Sequence, residues 1–153
     1  MYLRTRKYKF VILTKYRDDF IKWKRESSAN GQTTLIPHYE LVLSILKTYF
    51  MGFDFLSVPA PSFHTYDNYP IYEAAKILST DLGIPLNILF KNNSGRKNKG
   101  WLEARNKPIQ QIILPKNSTV LIIDDIYTTG HTLRVTLEAI FKAGGVACGV
   151  ALC

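Results

Sequence analysis

Cysteine is scarce in this sequence: 153 residues hold two, Cys148 and Cys153, and no Cys-x-x-Cys pair. A zinc site built from cysteines is thereby excluded. A spacing of five in a terminal strand sends the two thiols to opposite faces, which speaks against a mutual disulfide. The chain reads as reduced and cytoplasmic. Long apolar runs are missing as well: none reaches the roughly 18 residues of a spanning helix, so no membrane role is expected. The basic start, Met1 to Lys9, is not followed by an apolar stretch with a small-residue cleavage site, so it does not read as a secretory signal. Internal repeats and low-complexity tracts are absent.

Acidic residues are also in deficit, 12 Asp+Glu against 20 Lys+Arg, for a net charge of +8. The excess is concentrated. Residues 1–25 carry a net +7 and residues 91–107 a net +5, so the rest of the chain is mildly acidic. Two basic segments on such a body suit an anionic partner, either a phosphorylated metabolite or nucleic acid. Solvated surface accounts for the same charges. What the chain has in quantity is apolar side chain, 46% of residues, enough for the core of a single domain and too much for a disordered one.

The periodicity predicts alternating strands and helices. Tyr8, Phe10 and Ile12 fit an N-terminal strand, and Asp18-Asp19 open a short helix through Phe20, Ile21 and Trp23. Ser27 to Thr34 is a polar loop, the expected break between a basic N-terminal attachment (residues 1–34) and a core (residues 35–153) within one compact unit. Leu41 to Phe50 is an amphipathic helix, Phe53 to Val58 a strand, Ile71 to Leu82 a helix closed by Gly83, and Leu86 to Phe90 a short strand. Lys91 to Lys107 has no period and reads as a loop. Val120 to Ile123 is a strand buried on both faces. Leu133 to Phe141 is a helix, and Val146 to Leu152 a last strand. Such alternation implies a mainly parallel sheet flanked by helices, with ligands at the carboxyl ends of its strands.

After the buried strand comes Asp124-Asp125-Ile126-Tyr127-Thr128-Thr129-Gly130-His131-Thr132, and then a helix. The helix start offers unpaired backbone N–H groups and the positive dipole end to a phosphate at Thr128 to Thr132. The threonine hydroxyls add donors, and Gly130 lets the backbone come close. The two carboxylates, one loop-length away, suit sugar hydroxyls or a hydrated Mg²⁺. A sugar phosphate satisfies both halves. An isolated Asp-Asp would be ordinary turn chemistry, and an isolated threonine an N-cap; the full string after a buried strand is neither.

The stretch VLIIDDIYTTGHTL, residues 120–133, resembles the phosphoribosyl pyrophosphate (PRPP) signature of type I phosphoribosyltransferases. The resemblance implies that fold, with a small N-terminal hood, and transfer of phosphoribosyl to a nucleobase or amine with release of pyrophosphate. It implies that Asp124 and Asp125 bind the ribose hydroxyls, carry the catalytic role and hold Mg²⁺ indirectly through PRPP. Thr128, Thr129, Gly130, His131 and Thr132 would cradle the 5′-phosphate. Oxopurine enzymes of this kind place an Asp where Thr128 stands, so the resemblance argues against hypoxanthine or guanine as acceptor.

Within the superfamily the chain is most similar to the ComF family, associated with competence and DNA uptake. Tyr8 to Ile12 leading into Lys15-Tyr16-Arg17, Val58-Pro59-Ala60-Pro61, and Leu102-Glu103-Ala104-Arg105-Asn106 carry that likeness. The family usually begins with a zinc module, and no such cysteine pattern occurs here. The stretch Ser62 to Pro70, which in these enzymes binds pyrophosphate, has no Lys or Arg. Ser62 and His64 on that stretch, and Lys97, Lys99 and Arg105 on the closing loop with Lys91 and Arg96, are the expected pyrophosphate contacts. Trp101 reads as an anchor for that loop, and His38 as a helix-start residue without a role. Lys7, Lys9, Lys15, Arg17, Lys22, Lys24 and Arg25, interleaved with Tyr8, Tyr16 and Trp23, form a basic hood over an anionic substrate or a surface for single-stranded DNA. The resemblance implies PRPP and a nucleobase-like molecule as partners, in nucleotide metabolism, and a homodimer. The alternative is a non-catalytic ComF-like accessory protein that binds single-stranded DNA or nucleotides.

Overall fold

The computed structural model describes the backbone of residues 2–5, 9–30, 34–61, 66, 69–92, 109–111 and 117–153. A hairpin of β1 (Tyr2–Thr5) and β2 (Lys9–Ile12) opens the chain, followed by helices α1 (Arg17–Asn30) and α2 (Tyr39–Tyr49). Strand β3 (Phe55–Ser57) leads to helix α3 (Pro70–Leu82) and strand β4 (Phe90–Asn92). Strands β5 (Ile109–Gln111) and β6 (Thr119–Asp124), helix α4 (His131–Lys142) and strand β7 (Val146–Ala151) complete it.

The main sheet has the order β1-β2-β7-β6-β3, in which β2, β7, β6 and β3 run parallel and β1 alone is antiparallel. A separate ribbon pairs β4 with β5. This is the mainly parallel, helix-flanked α/β sheet expected. Residues of β6 alternate strictly between two apolar layers, as a strand covered on both faces must. Leu121 and Ile123 face the layer built with Phe20, Leu46, Ile71 and Leu78 from α1, α2 and α3. Val120 and Ile122 face Leu133, Leu137 and Ile140 of α4. Fully buried side chains of this size contribute roughly 1.5–3 kcal/mol each. On β7, a Cβ at Gly149 would stand 3.3 Å from Leu133, Leu137 and Phe10, so glycine lets α4 lie close on the sheet.

Helix ends follow the sequence. Pro70 opens α3, and Gly83, at φ 69°, closes it in the left-handed conformation. Several expectations are corrected. The first strand is half of a hairpin, and the helix after Asp18-Asp19 continues through Asn30, so Ser27 is helical and buried rather than the start of a loop. Trp23 anchors that longer helix: its indole N–H donates to the Thr34 carbonyl at 2.9 Å. The short strand expected at Leu86 to Phe90 is a single bridge from Leu86 to Leu56, and regular pairing begins only at Phe90. Cys153 lies beyond the end of β7, where alternation stops, so both thiols pack against the same apolar layer; they form no disulfide. His38 is left-handed at φ 53°, stacks on Tyr16 and bonds Asp19 at 2.7 Å, which ties the starts of α1 and α2 together. Among the described residues no helix is long and apolar enough to cross a membrane.

Candidate functional site

Parallel pairing brings the carboxyl ends of β2, β7 and β6 to one edge, and their ladder continues past the strands. Leu152 N–H donates to Asp124 O at 2.9 Å, Cys153 N–H to Asp125 O at 3.1 Å, and Tyr127 N–H to Cys153 O at 2.7 Å. On the other side of β7, Thr14 donates through both its N–H and its Oγ1 to Leu152 O. These bonds hold the backbone of residues 124–127 at the edge of the sheet.

The carboxylates are buried, Asp124 at 8% exposure and Asp125 at 5%. Asp124 Oδ1 accepts the Asp125 N–H at 2.9 Å, and Asp125 Oδ1 accepts the Ile126 N–H at 2.6 Å. Asp125 Oδ2 meets Lys24 Nζ of α1 at 2.7 Å. Burial, and then the neighbouring Asp125 charge, pushes the Asp124 carboxyl up to about 8. Burial acts to lower the Lys24 ammonium, but attraction to Asp125 outweighs it and the net shift is upward. Tyr69, just before α3, is close enough that the charges of Asp124 and Asp125 add to burial in raising its phenol well above the ordinary value.

The loop half is open. Thr128, Thr129 and Thr132 are exposed. Gly130, at φ 76°, is the N-cap of α4 and supplies no capping side chain, so neither Thr128 nor Thr129 is the cap. Thr129 Oγ1 accepts the His131 N–H at a long 3.4 Å. A first helical turn has no intrahelical partners for its N–H groups, and here they border an open hollow. Asp124, Tyr127, Thr128, Gly130, His131 and Thr132 are among the residues that line it. The Tyr127 ring covers Gly130: a Cβ there would meet it at 2.8 Å. His131 Nδ1 and Arg134 Nη2 lie 3.1 Å apart, which leaves a basic pair beside the hollow.

The structure thus brings together Asp124, Asp125, Thr128, Thr129, Gly130, His131 and Thr132. Ser62, His64, Lys97, Lys99, Arg105 and Trp101 lie outside the described residues. Three residues at the site carried no individual role in the sequence. They are Lys24 and Arg17, whose Nη1 donates to the Tyr127 carbonyl at 2.9 Å, and Tyr69. The seven-residue spacing of Arg17 and Lys24 was the available signal for two of them.

Two adjacent carboxylates match the one or two that Mg²⁺ takes when substrate oxygens and water complete its octahedron. Among the described residues no group of three or more metal-ligating side chains occurs, so the other positions would fall to substrate and water.

The family model of the phosphoribosyl transferase domain matches residues 72–152, and the chain belongs to that family. Among solved structures the chain is similar to adenine phosphoribosyltransferase from Leishmania tarentolae. The TM-score is 0.50 at 18% identity, over 74% of this chain and 56% of that one. It therefore spans little more than half the length of that enzyme, and the likeness is one of fold. A hypothetical protein from Neisseria gonorrhoeae with bound ppGpp aligns at TM-score 0.45 and 13% identity, over 96% and 71% of the two chains. Hypoxanthine phosphoribosyl transferase of Trypanosoma cruzi aligns at 0.40 and 15%, over the same shares. A comparison with curated proteins finds no match.

Proposed function

We propose that the protein binds PRPP and transfers its phosphoribosyl group to a nucleobase or amine, with release of pyrophosphate. The observation that carries this reading is a hollow lined both by Asp124, the first of two adjacent buried carboxylates, and by the open N-terminus of α4. The hollow is lined in part by Thr128, Gly130, His131 and Thr132, which would hold the 5′-phosphate through backbone N–H groups and hydroxyls. Asp124 and Asp125 would accept hydrogen bonds from the ribose hydroxyls. The negative charge of the pair, held on Asp125 in its ion pair with Lys24, favours the positive charge that develops on the sugar as pyrophosphate leaves. Mg²⁺, held by the same two carboxylates through the substrate, would neutralise the leaving group. Thr128, where oxopurine enzymes place a carboxylate, supports an acceptor other than hypoxanthine or guanine. A cytoplasmic setting and a homodimer belong to this reading, the second supported by the family resemblance.

Calorimetric titration of PRPP with Mg²⁺ present tests the reading. Micromolar, Mg²⁺-dependent binding is expected, and no detectable heat at several temperatures would overturn it. The ComF-like reading, with single-stranded DNA on the basic segments, draws on the net +7 of residues 1–25. Salt-sensitive DNA binding that survives loss of both carboxylates would favour it.

A further inference from the structure

Arg17 and Lys24 stand seven residues apart on α1, about two turns of helix, so their side chains leave the same stripe of its surface. Phe20, between them, is fully buried, and Trp23 is 3% exposed. Apolar packing therefore fixes the helix and aims both cations at one short stretch of chain. Arg17 reaches the Tyr127 carbonyl, and Lys24 reaches Asp125. The two ends of that ion pair differ in environment: the Asp125 side chain is 7% exposed and the Lys24 side chain 47%. An ammonium has three N–H donors. Asp125 takes one of them, and the half-exposed Lys24 side chain stands beside the buried carboxylate pair.

An anionic sugar diphosphate meets two carboxylates here, and needs positive charge close to them. The stretch 62–70, between β3 and the first residue of α3, contains no Lys or Arg. We propose that Lys24 is a substrate-binding residue, its ammonium anchored on Asp125 and its open side turned to the diphosphate of the bound sugar. This rests on the PRPP reading and deepens it. The residue it adds comes from a helix outside the stretch 72–152 that matches the family. Lys24 is here neither a mere neutraliser of Asp125 nor a plug in the ribose site, and each of those roles has its own signature.

The test is calorimetry, in the presence of Mg²⁺, with three probes: PRPP, ribose 5-phosphate, which lacks the diphosphate, and inorganic pyrophosphate. Wild type, Lys24→Met and Lys24→Arg are compared, and thermal unfolding confirms that each is folded. Met keeps the aliphatic stem, and Arg keeps the charge. Lys24→Met is expected to weaken PRPP and pyrophosphate at least tenfold while ribose 5-phosphate changes less than threefold. Lys24→Arg should hold PRPP within threefold of wild type. Equal losses for PRPP and ribose 5-phosphate would mean that Lys24 only orients Asp125, and would overturn the proposal. Tighter ribose 5-phosphate in Lys24→Met would make Lys24 a plug and overturn it as well. A wild type that binds PRPP, with Lys24→Met unchanged, defeats this proposal alone. A wild type that does not bind PRPP defeats the reading of the site and this proposal with it.

Discussion

The two halves of the site differ in what holds them. Asp124 and Asp125 are buried, bonded to their own backbone and gripped by β7 and Lys24. Thr128 and Thr129, in the loop before α4, and Thr132, on its first turn, are exposed. The carboxylate half is costly to build, because charge is taken out of water. The loop half costs little, because it uses N–H groups that any helix start leaves unpaired. The first therefore depends on the whole fold for its chemistry, whereas the second is nearly complete as a local conformation.

That contrast is broken most severely by removing the charge. In Asp124→Asn/Asp125→Asn, PRPP binding should fall at least ~100-fold, since hydrogen bonds to charged groups are worth about 1.5–3 kcal/mol each. The fold should persist, as shown by an unchanged circular dichroism spectrum, because Asn keeps an acceptor for the Asp125 and Ile126 N–H groups. Retained binding would remove the carboxylates from the site.

The loop half is tested by Gly130→Ala. A left-handed alanine costs about 1–3 kcal/mol, and its Cβ would also displace the Tyr127 ring. PRPP affinity should drop by roughly tenfold and the unfolding temperature should fall by several degrees. A Gly130→Ala protein that binds as wild type would mean that the phosphate does not rest on this turn.

The pH dependence of stability sharpens the comparison further. The Asp124 carboxyl is raised to about 8 in the folded protein, well above its ordinary value near 3.8. The folded state therefore binds the proton more tightly than the unfolded one. Its contribution to stability is complete below pH about 4 and is lost as pH rises through about 8. Asp124→Asn should then unfold at a higher temperature than wild type at pH 9, with the gap closing towards pH 4. Parallel stability curves for the two proteins would show that burial does not govern Asp124.

The smallest effect is expected at His38, away from both halves. Its pair with Asp19 is largely open to solvent, at 33% and 55% side-chain exposure, and such pairs are worth about 0.2–1 kcal/mol. His38→Ala should lower stability in urea by no more than that and leave PRPP binding unchanged. A change in affinity would show that the position of α1 is coupled to the site through this contact.

Much of the architecture was legible because it is periodic. The run of β-branched residues and leucine at 120–123 predicted a doubly covered strand, and Gly83 marked the end of α3 where a left-handed residue was needed. The phosphate loop was legible because its parts are contiguous. Less readable was α1, whose last turn, from Ser27 to Asn30, is polar in sequence and helical in the structure. Burial of Phe20 and Trp23 carries the helix through residues that favour turns, a tertiary override of local preference. The thiols taught the same lesson, since alternation predicts facing only while the strand lasts.

By itself, then, the sequence determined the alternation of strands and helices, the two adjacent carboxylates and the loop that follows them, all properties of neighbouring residues. The tertiary structure decided which charges surround those carboxylates. Arg17 meets Tyr127 across 110 residues of chain, and Lys24 reaches Asp125 from the same helix. It also decided that burial, and then the Asp125 charge, raises the Asp124 carboxyl to about 8. Burial and Coulomb interaction are set by distances in space, and no local pattern encodes them.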